Sequence, residues 1–309
     1  MSEEVKNNSV KAWVKAARPQ TLSGAAVPVM IGASLAFKDG GEDHFNILAA
    51  ALCFAFAFIM QIDANFINDY FDCKKGNDNE TRLGPPRACS QGWVSMSAMR
   101  YGIAITTGLA CLTGLPLVWY GGWTMILVGI CCVLFCFLYT TTLSYLGLGD
   151  VLVLLFFGIV PVCLTYYLSH AGTTQVITPQ VFLMSFSCGC VIDTLLVVNN
   201  FRDRENDLHS GKRTLITRIG AERGARLYLL AGLAGIILAA IALSVSPNSV
   251  QHSIIPISFI CLPYASLHVK SYLQMKMIGE GRALNGILAK TARNILIYGL
   301  TASASLLFF

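Results

Sequence analysis

Nine predominantly apolar stretches recur along the chain, at 20–37, 45–68, 97–119, 122–144, 148–169, 178–200, 223–246, 252–273 and 288–308. About 20 apolar residues in an α-helix cross the hydrocarbon core of a bilayer. The pattern therefore predicts an all-α fold: a polytopic membrane helical bundle of about nine transmembrane helices. Pro28, Pro116, Pro161, Pro256 and Pro263 fall inside these stretches. Membrane helices tolerate proline because neighbouring helices satisfy the backbone groups it frees. No shift in composition divides the chain, so residues 1–309 read as a single domain.

Composition points the same way. Hydrophobic residues make up 55% and charged residues 13% of the 309, against roughly 25% charge in a soluble domain. Too few charges are present to cover a water-facing surface, which excludes a disordered chain, a coiled coil or an ordinary cytosolic enzyme. The net charge of +5 comes from bases in the gaps between apolar runs, not from the basic stripe of a nucleic-acid binder. No nucleic-acid partner is expected. The eleven cysteines include no Cys-x-x-Cys pair and lie mostly in apolar runs, where they read as small hydrophobes. The first ~20 residues carry Lys6, Lys11, Lys15 and Arg18 without a long apolar core, so no cleavable signal peptide is expected.

The distribution of bases orients the bundle. With nine spans, 21 of the 22 Lys and Arg side chains fall on the side of the N-terminus, and Lys38 alone lies opposite. The N-terminus and the loops around 69–96 and 201–222 are thus expected in the cytoplasm, and the C-terminus on the far side. Both loops mix acids with bases, and chemistry is expected there.

The second stretch ends in Asn65, Asn68, Asp69 and Asp72, followed by Lys74, Lys75, Asp78, Arg82 and Arg87. At 100° per residue, Asn68, Asp69 and Asp72 fall within about 60° of Asn65. The sixth ends in Asn199, Asn200, Asp203 and Asp207, then Lys212 and Arg213, and those four oxygen-bearing side chains span about 100°. Polar groups near membrane depth point into a bundle or cavity. Carboxylate and amide oxygens suit Mg²⁺, which often sits between protein acids and substrate phosphates. The trailing bases suit a diphosphate. Aligning Asn68-Asp69-x-x-Asp72 with Asn199-Asn200-x-x-Asp203 places the two copies 131 positions apart. The chain then divides into two pseudo-repeated four-helix halves plus one helix. The bland alternative is a pair of interfacial salt-bridge networks.

These motifs resemble the UbiA superfamily of intramembrane prenyltransferases. The resemblance also rests on Ala17-Arg18-Pro19-Gln20-Thr21-Leu22, Arg82-Leu83-Gly84-Pro85-Pro86-Arg87, Gly147-Leu148-Gly149-Asp150, Thr165-Tyr166-Tyr167, Gly211-Lys212-Arg213-Thr214, Leu284-Asn285 and Lys290-Thr291-Ala292-Arg293. It covers nearly the whole chain, and the Leu-Gly-Pro-Pro-Arg and Gly-Lys-Arg-Thr segments point to its naphthoate branch. It implies an enzyme in a bacterial cytoplasmic (inner) membrane. The activity implied is transfer of a polyprenyl group from polyprenyl diphosphate to 1,4-dihydroxy-2-naphthoate with loss of CO₂, giving a demethylmenaquinol. It further implies Mg²⁺ held by Asn68, Asp72, Asp203 and Asp207. Asn65, Asp69, Lys74, Arg82, Arg87, Asn199, Asn200, Lys212, Arg213 and Tyr139 are the expected substrate contacts.

The wider superfamily carries an acid at the position of Gly76. Here Asp78 comes two residues later, which leaves a third ligand open between Asp78 and a supporting role. Tyr145, Tyr166 and Tyr167 are further candidate cavity liners, or ordinary interfacial tyrosines. Asp63 and Asp193 read as helix-packing groups, with a cavity role also open for Asp193. His209 is a candidate phosphate contact or a solvated side chain. Two rivals remain at this level: a relative acting on 4-hydroxybenzoate or homogentisate, and a membrane transporter built on paired half-helix sites.

Overall fold

The computed structural model describes residues 5–76, 82–170, 176–245 and 254–308. Among them the chain is helical throughout, with one isolated β-bridge between Phe45 and His170. A short helix α1 (Val10–Ala17) precedes nine long ones. These are α2 (Leu22–His44), α3 (Ile47–Lys75), α4 (Met96–Gly121), α5 (Thr124–Leu143), α6 (Gly149–Ser169), α7 (Pro179–His209), α8 (Leu215–Ser244), α9 (Ile254–Ile278) and α10 (Leu284–Phe308). By length and apolarity alone, α2 to α8 can each cross a membrane. The remaining two are 25 residues each and close the bundle, α9 against α8 and α10 against α2, α7 and α9.

Side-chain caps mark where the helices begin. The Asn46 side chain accepts from the Ala49 N–H at 3.0 Å, Ser95 from Ala98, Thr178 from Val181 and Thr214 from Thr217. Each cap satisfies one of the N–H groups a helix start leaves without an internal partner. Gly76 closes α3 in the left-handed region, at φ 73°. Gly220, at φ 80°, interrupts α8, so the apolar span proper begins beyond it, close to the predicted residue 223.

The predicted spans and observed helices coincide to within a few residues, except that α2 runs on to His44, α8 starts early at Leu215, and α3 and α7 overrun at their polar ends. There the helices continue past residues 68 and 200, to Lys75 and His209. At 1.5 Å per residue these helices of 29 and 31 residues reach well over 40 Å, against a hydrocarbon core of about 30 Å. The polar clusters therefore ride on helix, not on loop.

The core runs through the second half of the bundle, where Val27, Ile31 and Leu35 of α2 meet Met184, Cys188 and Tyr298 of α7 and α10. With lipid outside, such helices associate by close packing instead of water exclusion. Gly158 and Gly189 let α6 and α7 approach so closely that a Cβ on Gly158 would come within 2.7 Å of the Ser185 carbonyl. Asp63 is fully buried and accepts from Thr106 Oγ1 at 2.5 Å and Thr107 Oγ1 at 2.8 Å, pinning α3 to α4. This fits the packing role expected for it.

Candidate active site

A single cavity of about 1510 Å³ runs between α2, α3, α4, α5, α6 and α7. One end is polar, lined by Asn68, Asp72, Asn199, Asn200, Asp203 and Asp207. Its other end is apolar, with Phe56, Leu115, Met125, Phe156, Phe157 and Leu168 on the wall. The two polar helix ends, 131 positions apart in sequence, thus face one space.

Arg82, Arg87 and Lys212 stand at the rim. Arg87 Nη2 donates to Asp72 at 3.2 Å, and Lys212 Nζ lies 3.7 Å from Asp207. Thr140 Oγ1 donates to Asn68 Oδ1 at 2.5 Å. Thr140 and Tyr139 sit in a π-helical turn, Tyr139–Leu143, and a second such turn spans Leu154–Ile159. Both turns contribute side chains to the cavity wall, as π-bulges often do at functional sites. Of the other candidate tyrosines, Tyr145 lines the cavity. Tyr166 is buried and donates to Asp39 at 2.9 Å. His209 lies on the cavity wall.

Four expected substrate contacts are placed elsewhere. Asn65 is buried, and its amide donates to the Ala17 carbonyl at 2.9 Å and to Thr21 Oγ1 at 3.0 Å, so it joins α1 and α2 to α3. Asp69 has no exposed surface; its two oxygens accept from the Ala88 and Cys89 N–H groups, both at 2.9 Å. The roughly 100° arc of the first motif is therefore shared: Asn68 and Asp72 look into the cavity, Asn65 and Asp69 into the packing of α1 and the following loop. Lys74 is exposed and lies about 200° from Asp72 around α3, facing away. Arg213 is exposed, on the turn whose backbone N–H bonds the Tyr145 carbonyl. Asp78 lies outside the described residues. Asp193 is buried on α7, within electrostatic reach of Asp150, and is not among the cavity-lining residues.

Because Asp69 holds the loop by two buried N–H groups, Asp69→Ala leaves both without a partner. Each such loss costs roughly 1–3 kcal/mol. The variant is expected to lose a large part of its thermal stability in detergent, read as a clear drop in the midpoint of a fluorescence melt.

Sequence reading missed two arginines. Arg18 lines the cavity from the α1–α2 junction, at φ 51°, with Nη2 3.8 Å from Asp69. The signal for it is the Arg-Pro break before the first apolar stretch. Arg202 is 2% exposed and forks onto Asp203, at 2.8 and 2.5 Å, while also donating to Asn199 Oδ1 and Asn285 Oδ1, both at 2.8 Å. Its position between Asn199 and Asp203 within one helical turn is the readable signal.

The donor set can be tested for a metal. Among the described residues no three His, Cys, Asp or Glu side chains converge as a self-sufficient metal site. The two motifs offer oxygen ligands at the polar end, from three amides and three carboxylates, and Asp207 Oδ2 is buried without a hydrogen-bond partner. Such a set fits a hard cation that completes its shell with water and phosphate oxygens.

Among the described residues, the fold is a helical bundle with two acid-tipped helices opening on one cavity between apolar helices. Residues 25–276 match the UbiA prenyltransferase family, and the chain belongs to that family. It is an integral membrane protein and a prenyltransferase, which sets the transporter reading aside. Among similar curated proteins is the 1,4-dihydroxy-2-naphthoate octaprenyltransferase of Escherichia coli (strain K12), 35% identical over 227 residues, 71% of each chain. The protein of the same name from Mycobacterium tuberculosis (strain ATCC 25618 / H37Rv) is 29% identical over 97% of this chain and 98% of its own. Two solved structures share the fold. An apo UbiA homolog from Aeropyrum pernix K1 has a TM-score of 0.68 at 13% identity, covering 93% of this chain and 97% of its own. A UbiA homolog from Archaeoglobus fulgidus bound to DMAPP and Mg²⁺ has a TM-score of 0.62 at 14% identity, covering 96% and 99%.

Proposed function

We propose that this protein transfers a polyprenyl group from polyprenyl diphosphate to 1,4-dihydroxy-2-naphthoate, releasing CO₂ and diphosphate and yielding a demethylmenaquinol. The observation that carries the reading is the shared cavity, acidic and amide-rich at one end and apolar along the rest. A diphosphate head with a long hydrocarbon tail matches it end for end. The acceptor is assigned from the naphthoate-named relatives and from the Leu-Gly-Pro-Pro-Arg and Gly-Lys-Arg-Thr segments. The proposed setting is a bacterial inner membrane with the N-terminus and the polar end in the cytoplasm, supported by the Lys/Arg asymmetry.

Asn68, Asp72, Asp203 and Asp207 would hold Mg²⁺, which when bound supplies Lewis-acid stabilisation of the departing diphosphate. Arg82, Arg87 and Lys212 add positive charge at the rim, where the diphosphate oxygens lie. One of these arginines is equally suited to the acceptor carboxylate. The C–O bond to diphosphate breaks to give an allylic cation, and the apolar wall keeps water from it. The Tyr139 ring presents a π-face to that charge. The electron-rich ring carbon bearing the carboxylate forms the new C–C bond, and loss of CO₂ restores aromaticity.

The test is incubation of purified protein with polyprenyl diphosphate, Mg²⁺ and dihydroxynaphthoate labelled at the carboxyl carbon. The expected result is a prenylated naphthalenediol by mass, with the label recovered as CO₂. Product that retains the label contradicts the decarboxylating step. Prenylation of 4-hydroxybenzoate or homogentisate in its place moves the assignment to another acceptor.

A further inference from the structure

The loop that follows α3 carries Arg82 and Arg87 to the cavity rim, and one residue far away in sequence ties it to the second motif. Asn285, in the first turn of α10, donates from its amide to the Leu83 carbonyl at 2.8 Å. Its side-chain oxygen accepts from Arg202 Nη1 at 2.8 Å. Arg202 in turn grips both oxygens of Asp203 and the amide oxygen of Asn199. The next loop residue, Gly84, passes so close that a Cβ there would stand 2.9 Å from Arg202 Nη2 and 3.1 Å from Arg82 Nη2. The chain of bonds runs from the loop, through α10, to the acidic tip of α7.

We propose that Asn285 is a positioning residue for the diphosphate head: bridging Arg202 and the Leu83 carbonyl, it holds the 82–87 loop, with its two arginines, against the second acidic motif. Asn285 lines no part of the cavity and touches no reacting atom. Its effect therefore falls on affinity for the diphosphate, while the chemical step keeps its metal-binding oxygens and its apolar wall. An amide is required for a physical reason. The bridge needs an acceptor toward a buried guanidinium and a donor toward a backbone carbonyl, and asparagine offers both on one short side chain. Arg202 is held by three acceptor side chains, so swinging away from residue 84 would break those bonds. A methyl group at residue 84 therefore pushes the loop away instead of displacing the arginine. This inference rests on the proposed function for its substrate, but its geometry does not.

The experiment uses the full chain in detergent or nanodiscs and two variants that break the bridge from opposite ends. Asn285→Asp keeps the acceptor for Arg202 and removes the donor to Leu83. Gly84→Ala leaves α10 untouched and crowds the loop off Arg202. Each is expected to raise KM for polyprenyl diphosphate about tenfold, as loss of one buried hydrogen bond implies, with kcat within about twofold. A second readout needs no turnover: inorganic pyrophosphate with Mg²⁺ is expected to slow tryptic cleavage after Arg82 in the wild-type protein. The concentration giving half protection should rise by the same factor in both variants. Unchanged KM and unchanged protection in Gly84→Ala overturn the proposal, whether or not Asn285→Asp folds. A loss confined to kcat overturns it as well. Wild-type protein that forms no prenylated product would sink the functional reading, while the pyrophosphate arm would still report on the bridge.

Discussion

Asp72→Asn and Asp203→Asn are each expected to lower turnover by about a thousandfold or more, roughly 4 kcal/mol of lost transition-state stabilisation. Both leave insertion into the membrane intact. The asparagine variants are chosen over alanine for a structural reason. Asp203 is the carboxylate partner of Arg202, a guanidinium with 2% of its surface exposed. Removing that partner outright strands a buried charge, which is destabilising by itself. An amide keeps a hydrogen-bond acceptor for Arg202, and likewise for Arg87 beside Asp72, while removing the negative charge that would face the metal. The measurement is initial rate by product mass, with monodispersity on size-exclusion chromatography as the folding control. Near-wild-type turnover in either variant removes that residue from the metal-binding set.

Metal removal should have an effect as large. Chelation with EDTA is expected to stop product formation completely, and Mg²⁺ in excess to restore it. Ca²⁺ is expected to restore little. It takes six to eight oxygens at longer distances, whereas Mg²⁺ demands a tight octahedron and accepts one or two carboxylates with phosphate and water completing the shell. The cavity offers that sparse set of oxygens, with no three acidic or imidazole ligands converging among the described residues. Turnover that persists after exhaustive chelation would separate the enzyme from metal-dependent catalysis and transfer the stabilising role to Arg82, Arg87 and Lys212.

Much of the fold was legible because lipid imposes a simple rule on sequence. An apolar run of the right length has to be a helix, and the one-sided distribution of bases supported the number of spans. What the rule does not reach is the part of a helix that leaves the lipid. The last turns of α3 and α7 are as polar as loops, and only Gly76 and the turn after His209 mark where they stop. Short α1 went unread because eight residues make only about two turns, too short to stand out beside membrane-length runs. Its Trp13 ring packs edge-on against Phe66 at 5.3 Å, a tertiary contact no local pattern encodes.

The site was legible as two motifs but not as individual duties. Helical phase placed Asn65, Asn68, Asp69 and Asp72 on one arc. It could not show that α1 and the 82–89 segment cover one edge of that arc and leave the other open. Lys74 was separable from Asp72 by phase alone, being on the opposite side of α3, so its exposure was within reach of the sequence. The contact between Arg202 and Asn285 was not. Their pairing joins α7 to α10 across 83 positions, and the π-helical turn that brings Tyr139 and Thr140 inward leaves no signature in hydrophobic pattern.

The central claim is that Asn68 and Asp72 on one helix, with Asp203 and Asp207 on another, grip a single metal-bound diphosphate. It is tested most directly by replacing Mg²⁺ with Mn²⁺ in crystals grown with a non-hydrolysable thiolo-diphosphate analogue and locating the metal by anomalous scattering. The account predicts metal density touching oxygens of both helix ends and bridged by one diphosphate at the polar end of the cavity. Metal bound at only one of the two helix ends, or a diphosphate seated elsewhere, would contradict it.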